Sequence, residues 1–239
     1  MAIRTLDLFS GGGGSSYGAR AAGAEIVCGV DAWSCATDAY AANFGEDKAL
    51  NLTLDAKSAP SALGDIGAID LLLASPECTS HTCARGSRPP DEESKGTANY
   101  VLAFAAELNP RWVVVENVIH MRGWQGYKPL LEALRKQGYR VRIEVLDSSR
   151  FGVPQSRQRL FILADREREP HRVPRRRGRA PSARRILDPT GAGPPGRCEA
   201  SNVRNRRSSG PSARLRRWAL RNRFWSSIMG WTGQAAGSL

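Results

Sequence analysis

Four short motifs along this chain carry side chains that can do chemistry. They are residues 7–14 (DLFSGGGG), 75–78 (SPEC), 116–118 (ENV) and 155–159 (QSRQR). A glycine-rich turn lets a ligand approach backbone N–H groups, and a cysteine thiolate is a strong nucleophile. A glutamate can deliver a proton, and arginines are fixed cationic donors. The order and spacing of the four motifs predict one active site with Cys78 at its centre.

The glycine loop follows a predicted strand, residues 3–8, and precedes a helix, an arrangement that binds nucleotide-like cofactors. Asp31 ends the second predicted strand, 20 residues beyond Gly11, where it can accept hydrogen bonds from ribose hydroxyls. A flexible turn with a helix-capping aspartate is the plainer interpretation, but strand, loop, helix and acid together favour a cofactor site. The Lys-Ser/Thr ending of a phosphate-binding loop is missing, so a nucleoside is favoured over a phosphate.

Cys78 follows a buried-type strand and precedes a long polar loop, residues 79–97. A lone cysteine is usually a small core residue. This one lies outside the apolar run, at the functional edge of the predicted sheet, which favours a nucleophilic role. Cys28 and Cys35 are interpreted as structural, and Cys83 has no evident role.

Glu116 ends an apolar strand, where burial should raise the pKa of its carboxyl and suit it to donate a proton. The alternative is a solvated acid at a strand end. Arg157 and Arg159 alternate before the last predicted strand, so both guanidiniums should face one substrate. The alternative for them is a salt-bridged strand edge.

Short apolar runs alternate with helical stretches from residue 3 to residue 164. This pattern predicts an α/β fold with a mostly parallel, twisted sheet and helices on both faces. The predicted strands are 3–8, 25–30, 69–74, 112–116, 139–146 and 160–164, and the predicted helices are 17–22, 34–44, 99–108 and 128–137. Ligands bind such sheets at the carboxyl ends of the strands, where the four motifs fall.

Charge divides the chain in two. Residues 166–239 hold 18 arginines against 4 acids, whereas residues 1–165 hold 17 bases against 19 acids. The second part is rich in Arg, Pro and Gly, and it cannot bury enough apolar surface to offset its ordering entropy. We therefore expect a catalytic domain over residues 1–165 and a disordered basic tail over residues 166–239.

Other classes are disfavoured by composition. Five cysteines without a signal peptide argue against a disulfide framework, and the three histidines lack metal-ligand spacing. No charged-then-apolar leader and no apolar stretch of about 18 residues occurs. The sequence therefore predicts a soluble, intracellular protein without a metal.

Residues 1 to about 164 resemble the catalytic domain of DNA (cytosine-5) methyltransferases, of the bacterial restriction–modification or orphan type. Residues 7–14 are similar to the family's F-x-G-x-G loop, and the other three motifs match in order. The resemblance implies a Rossmann-like fold and S-adenosylmethionine as cofactor. The implied cofactor contacts are Phe9, Gly11, Gly13, Asp31 at the ribose, and an aspartate at the adenine amine, for which spacing favours Asp55 over Asp65.

The resemblance also implies covalent catalysis on a cytosine flipped out of double-stranded DNA. The Cys78 thiolate would attack C6, Glu116 would bind N3 and assist its protonation, and Arg157 and Arg159 would supply the donor to O2. C5 would then take the methyl group and lose its proton to a base. A restriction–modification enzyme would have a cognate endonuclease as partner and would lie in the bacterial cytoplasm, at the nucleoid.

Two departures from the family pattern stand out. Glu77 precedes the cysteine where most members have proline, and a neighbouring carboxylate should raise the pKa of the thiol. No target-recognition domain is recognisable after residue 164, and a frame change over residues 224–233 permits a credible strand and turn. We therefore hypothesise an out-of-frame or degenerate recognition domain. Two other functions stay open: an inactive cofactor- or nucleic-acid-binding remnant, and methylation of RNA cytosine.

Overall fold

The structure of the protein is a computed structural model that describes residues 2–77, 92–174 and 182–185. Side chains of residues 92–96 are outside the description. Cys78, Cys83 and most of the range 166–239, including the proposed frame change, lie outside the described residues.

Seven strands and four α-helices form the described part of the chain. The strands are β1 (Ile3–Leu8), β2 (Ala24–Asp31), β3 (Ala49–Asn51), β4 (Leu71–Ala74), β5 (Trp112–Asn117), β6 (Arg140–Asp147) and β7 (Gln158–Asp165). The helices are α1 (Gly14–Ala21), α2 (Ser34–Phe44), α3 (Glu92–Leu108) and α4 (Tyr127–Lys136).

The strands form one sheet in the order β3-β2-β1-β4-β5-β7-β6. The first five are parallel to one another, whereas β7 is antiparallel to both β5 and β6. The predicted mostly parallel α/β sheet is therefore confirmed. The reversal follows from the β6–β7 hairpin, whose returning strand inserts between β6 and β5.

Apolar side chains cover both faces of the sheet. Along β4, Leu72 packs in one buried cluster with residues of α3 and α4, while Leu71 and Leu73 pack in a second cluster with Tyr40 of α2. Successive strand residues point to opposite faces. Because both faces are covered, the central strands read as continuous apolar runs rather than as alternating ones.

Two elements differ most from the sequence prediction. The three-residue strand β3 was not predicted, since its hydrogen bonds to β2 leave almost no pattern in so short a segment. Helix α3 begins at Glu92 rather than at residue 99. The buried face of α3 includes Ala98, Val101 and Phe104, and the first turns ahead of it carry the polar residues that resemble a loop.

Residues 166–174 pack against the outer strands of the sheet. The guanidinium of Arg142 on β6 donates to the carbonyl of Pro170 and pairs with Glu169. Val173 is buried in the second apolar cluster. The chain therefore stays attached to the sheet for nine residues beyond β7.

Candidate active site

An open cleft of about 490 Å³ lies at the carboxyl ends of β1, β4 and β5. The cleft is lined by residues from the glycine loop, the motif 75–78, the E-N-V motif and the Q-S-R-Q-R motif. Those residues are Phe9, Ser10, Gly11, Gly14, Ser75, Glu116, Arg157 and Arg159. Apolar side chains from the β6–β7 hairpin, including Phe151 and Phe161, complete the wall. All four motifs, which lie far apart in sequence, thus contribute to one cavity, and Ser75 is the residue that the motif 75–78 contributes.

The backbone of the glycine loop adopts conformations that favour glycine, and at Gly13 a side chain would also clash with its neighbours. Gly11 and Gly13 have φ angles of +53° and +88°, and Phe9 also has a positive φ of +56°. A Cβ on Gly13 would lie 2.4 Å from the Phe44 ring and 3.0 Å from the Tyr40 ring. Glycine at position 13 is therefore required both by conformation and by the packing of α2.

Asp31 fastens this loop to β2. Its Oδ2 accepts a hydrogen bond from the backbone N–H of Gly11 at 2.8 Å, and its Oδ1 accepts one from Trp33 at 2.9 Å. Each carboxylate oxygen retains a further lone pair that a ligand hydroxyl can use. Asp31, the residue predicted to contact a ribose, is thus hydrogen-bonded to the loop that is predicted to bind the cofactor.

A buried polar network lies beneath the glycine loop, and sequence reasoning missed it. Asp7 on β1 is fully buried, and its Oδ2 accepts a hydrogen bond from Ser16 Oγ at 2.6 Å. Ser16 Oγ also lies 2.8 Å from Tyr40 Oη. Burial, helped by the charge of Asp31, raises the pKa of Asp7 to about 7, although hydrogen bonds from Ser16 oppose the rise. The available signal was an aspartate between two leucines at the end of the strand that leads into the glycine loop.

Glu116 and Arg159 form an ion pair in the cleft. Arg159 Nε lies 3.0 Å from Glu116 Oε1, and both side chains are less than a quarter exposed. Burial raises the pKa of Glu116, while the charges of Arg159 and Arg157 oppose the rise. The predicted raised pKa is confirmed. The two interpretations of the arginines, substrate contact and salt-bridged strand edge, are compatible. Arg157 and Arg159 both line the cleft, and Arg159 is also salt-bridged.

Asn117 ties the end of β5 to the segment that precedes Cys78. Its side chain is buried, donates from Nδ2 to the carbonyl of Pro76 at 3.1 Å, and accepts from the backbone N–H of Val118. The backbone N–H of Ser75 donates to the carbonyl of Leu8 on β1. The backbone up to Pro76 is therefore held from two neighbouring strands, and the exposed Glu77 is the last described residue before Cys78.

The two candidate adenine contacts lie at opposite edges of the sheet. The guanidinium of Arg4, near the start of β1, donates to the carbonyls of Ile66 and Ala68, so Asp65 lies near the amino edge. Asp55 follows β3, whose last residue pairs with Asp31 at the carboxyl edge. Asp55 is exposed, and hydrogen bonds from Ser58 and the backbone of residue 57 lower its pKa. This placement favours Asp55.

Two absences concern the described residues only. Within residues 2–77, 92–174 and 182–185, no cluster of His, Cys, Asp and Glu could hold a metal ion. No helix in the same ranges is long and apolar enough to cross a membrane.

A family model described as C-5 cytosine-specific DNA methylase matches residues 3–213. The chain belongs to this family. The match continues past β7 into the arginine-rich range, which is where no recognition domain is recognisable from the sequence.

Curated relatives of the chain include bacterial and phage methyltransferases. Type II methyltransferase M.HgiDI of Herpetosiphon aurantiacus is 36% identical over 167 residues, which cover 69% of this chain and 52% of the relative. Type II methyltransferase M.HindV of Haemophilus influenzae is 31% identical and is covered to the same 52%. The chain therefore spans about half the length of the curated relatives that it matches.

Solved structures show the same fold. A DNMT2 mutant of Spodoptera frugiperda is similar with a TM-score of 0.64 at 25% identity, over 78% of this chain and 60% of that protein. A methyltransferase encoded within an Escherichia coli prophage, described as a putative DNA modification enzyme, has a TM-score of 0.58 at 23% identity, over 69% and 47% of the two chains.

Proposed function

We propose that this chain is the cofactor-binding and catalytic part of a DNA (cytosine-5-)-methyltransferase that uses S-adenosylmethionine. The observation that carries the proposal is that the Glu116–Arg159 pair and the glycine loop line the same cleft. A carboxyl of raised pKa and cationic donors thus face a nucleoside-type loop across one cavity. Family membership supplies the reaction that such a site can perform.

The described residues fit S-adenosylmethionine. A Cβ on Gly11 or Gly14 would meet nothing within 4 Å, so the loop is open toward a ligand. Ser10 Oγ is buried at the cleft without a hydrogen-bond partner among the described residues, and Asp31 keeps free lone pairs. Phe9, Gly11 and Gly13 would shape the nucleoside pocket, Asp31 would hold the ribose and Asp55 the adenine amine. The cofactor supplies an electrophilic methyl group when it is bound.

The opposite wall of the cleft would bind the flipped cytosine. Glu116 would donate a proton to N3 while the Cys78 thiolate forms a bond to C6, which makes C5 nucleophilic. Arg157 and Arg159 would donate to O2 and stabilise the charge that develops on the ring. After methyl transfer, a base removes the C5 proton and the thiolate leaves C6. Raised pKa values suit an acid that must carry a proton near neutral pH.

The proposed substrate is double-stranded DNA. Because a base inside a stack is closed to attack on its ring faces, the cytosine must be flipped into the cleft. The excess of arginines over residues 166–239 would add salt-dependent affinity for phosphates. A cognate restriction endonuclease as partner, and a place at the nucleoid of a bacterial cytoplasm, are part of the same proposal.

One labelling experiment tests the proposal. The full chain is incubated with methyl-labelled S-adenosylmethionine and either duplex DNA or tRNA, beside the variants Cys78→Ser and Cys35→Ser. Cys35 is an exposed free cysteine on α2, outside the cleft, and is the matched control. Label on DNA that is lost only in Cys78→Ser supports the proposal. Label on tRNA alone indicates an RNA enzyme, and cofactor binding without any transfer indicates an inactive remnant.

A further inference from the structure

The loop between β6 and β7 carries Arg157 at its end and is held by a set of polar contacts at its base. Asp147, the last residue of β6, accepts hydrogen bonds on both carboxylate oxygens. Oδ1 accepts from the backbone N–H of Ser149 at 2.9 Å, and Oδ2 accepts from Ser156 Oγ at 2.9 Å. One side chain therefore joins the outgoing and the returning ends of the loop.

Ser148 reinforces the same closure. Its Oγ donates to the carbonyl of Gln155 at 2.6 Å, and its backbone N–H donates to the carbonyl of Arg157 at 3.0 Å. The backbone of Arg157 is thus hydrogen-bonded to that of Ser148, the residue after Asp147. The strand ladder continues with Asp147 opposite Gln158 and Leu146 opposite Arg159.

This register places Asp147 across from the residue that separates the two arginines. Because alternate residues of a strand point to one face, the direction of both guanidiniums depends on how the loop enters β7. Arg159 then reaches Glu116, and both arginines line the cleft. Hydrogen bonds from Ser149, Ser156 and the backbone of Arg157 lower the pKa of Asp147 to about 2, so its carboxylate stays charged near neutral pH.

We propose that Asp147 is a positioning residue for the two cleft arginines. Its carboxylate clamps the base of the β6–β7 loop, and this clamp aims Arg157 and Arg159 at Glu116 and at the substrate base. The inference rests on the proposed function for its effect on methyl transfer, but the positioning itself is a property of the chain without substrate.

The simplest alternative is that Asp147 only caps the short 3-10 turn Ser148–Phe151. A cap would affect stability without changing the electrostatics of the cleft. The pKa of Glu116 distinguishes the two roles, because the nearby charges of Arg159 and Arg157 hold it below the value that burial alone would give. Loosened arginines should therefore raise the titration midpoint of Glu116.

The first measurement is the titration of Glu116 by carboxyl carbon NMR in the full chain, assigned with Glu116→Gln. We compare Asp147→Ala with Asp147→Asn, whose amide keeps an acceptor for Ser149 and gains a donor for Ser156. Asp65→Ala is the matched control, since Asp65 likewise accepts a hydrogen bond from the backbone N–H two residues later, that of Gly67, but lies near the amino edge of the sheet. We expect an upward shift in Asp147→Ala only.

The second measurement is kcat/KM for DNA methylation with the same variants. We expect Asp147→Ala to lower it by roughly tenfold or more, since small displacements of substrate-positioning groups have effects of this size. The cofactor Kd should stay within about twofold, and Asp147→Asn should recover most of the rate. In an Arg157→Ala/Arg159→Ala background, Asp147→Ala should have little further effect.

An unchanged Glu116 midpoint in folded Asp147→Ala would overturn the proposal, as would a shifted midpoint with unchanged kcat/KM in an active protein. If Asp147→Ala does not fold, Ser156→Ala removes one contact of the clamp and carries the same two tests. An inactive wild-type chain would contradict the proposed function, while the titration would still decide whether Asp147 positions the arginines.

Discussion

The two walls of the cleft are built by different means. The glycine wall depends on backbone conformation and on the close packing of Tyr40 and Phe44 beneath Gly13. The arginine wall depends on side-chain contacts at partly exposed positions, namely the Glu116–Arg159 pair and the Asp147 clamp. One wall is fixed by steric fit and the other by hydrogen bonds and charge.

This difference implies different tolerance to substitution. A steric fit fails with a single added methyl group, because packed interiors relax only partly. A polar contact near the surface is worth little by itself and survives exchange for another group with the same donor or acceptor. We therefore expect the glycine wall to be intolerant of change and the arginine wall to be adjustable.

The largest effect is expected for Gly13→Ala. The new Cβ would overlap the Phe44 ring at a residue with φ of +88°, so overpacking and backbone strain add together. We expect a loss of about 3 kcal/mol in unfolding free energy and a fall in Tm of roughly 6–12 °C. Thermal unfolding followed by circular dichroism measures both.

Gly14→Ala is the control for that prediction. Position 14 is the first residue of α1, and its Cβ would meet nothing within 4 Å. The Tm should stay the same or rise slightly, because alanine favours helix. Equal losses at positions 13 and 14 would show that the loop is not held by steric fit.

Asp7→Asn should change how stability depends on pH. The folded pKa of Asp7 is about 7 against an ordinary 3.8, so between these values the folded state holds a proton that the unfolded state has lost. This group therefore destabilises the fold progressively as pH rises from about 4 to about 7, by at most about 1.4 kcal/mol per pH unit, and no further above 7.

Denaturant unfolding at pH 5 and pH 8 tests this expectation. Asp7→Asn should gain stability relative to the wild type as pH rises, because asparagine has no proton to release. A difference between variant and wild type that stays constant with pH would contradict the assigned burial effect.

Asn117→Ala should have an intermediate effect. The substitution leaves the Pro76 carbonyl and the Val118 N–H without their partner in a buried place. We expect a loss of about 1–3 kcal/mol in unfolding free energy. Asn43→Ala, at an exposed residue whose amide donates only to Ala39 within its own helix, should lose about 0.5 kcal/mol or less. Similar losses for both variants would remove Asn117 as an anchor of the segment before Cys78.

The smallest effect is expected for Arg159→Lys. Lysine keeps the charge but loses the guanidinium contact with Glu116, so the pKa of Glu116 should rise modestly while Tm changes little. Carboxyl NMR titration measures the shift, and Arg140→Lys at the far end of the sheet is the control. A lower Glu116 midpoint in Arg159→Lys would contradict the stated balance of burial and charge.

The fold was largely readable because its signals are local. Apolar runs predicted six of the seven described strands, and the helix predicted over residues 34–44 has the bounds of α2. The glycines of the loop and the aspartate that ends β2 lie within one strand–helix–strand unit, so their relation is visible along the chain. The raised pKa of Glu116 followed from its place at the end of an apolar strand.

The parts that sequence reasoning missed depend on contacts between distant residues. Asp7, Ser16 and Tyr40 meet only after β1, α1 and α2 have packed together. Asp147 resembles an ordinary strand-end acid until the hairpin closes and brings Ser156 to it. The preference for Asp55 over Asp65 came from spacing to Cys78, and the sheet edge that each loop follows agrees with it but could not be read from the sequence.

The reversed direction of β7 sets a minimum tether length for anything that follows it. Its eight residues begin at the cleft and end at Asp165, near the start of β5, on the far edge of the sheet. At about 3.4 Å per residue, the distance from the end of β7 back to the cleft is roughly 27 Å, or at least about eight residues of extended chain. A segment joined after β7 that is to reach the cleft must therefore include this span, whereas one inserted at residues 148–157 would already lie at the cleft.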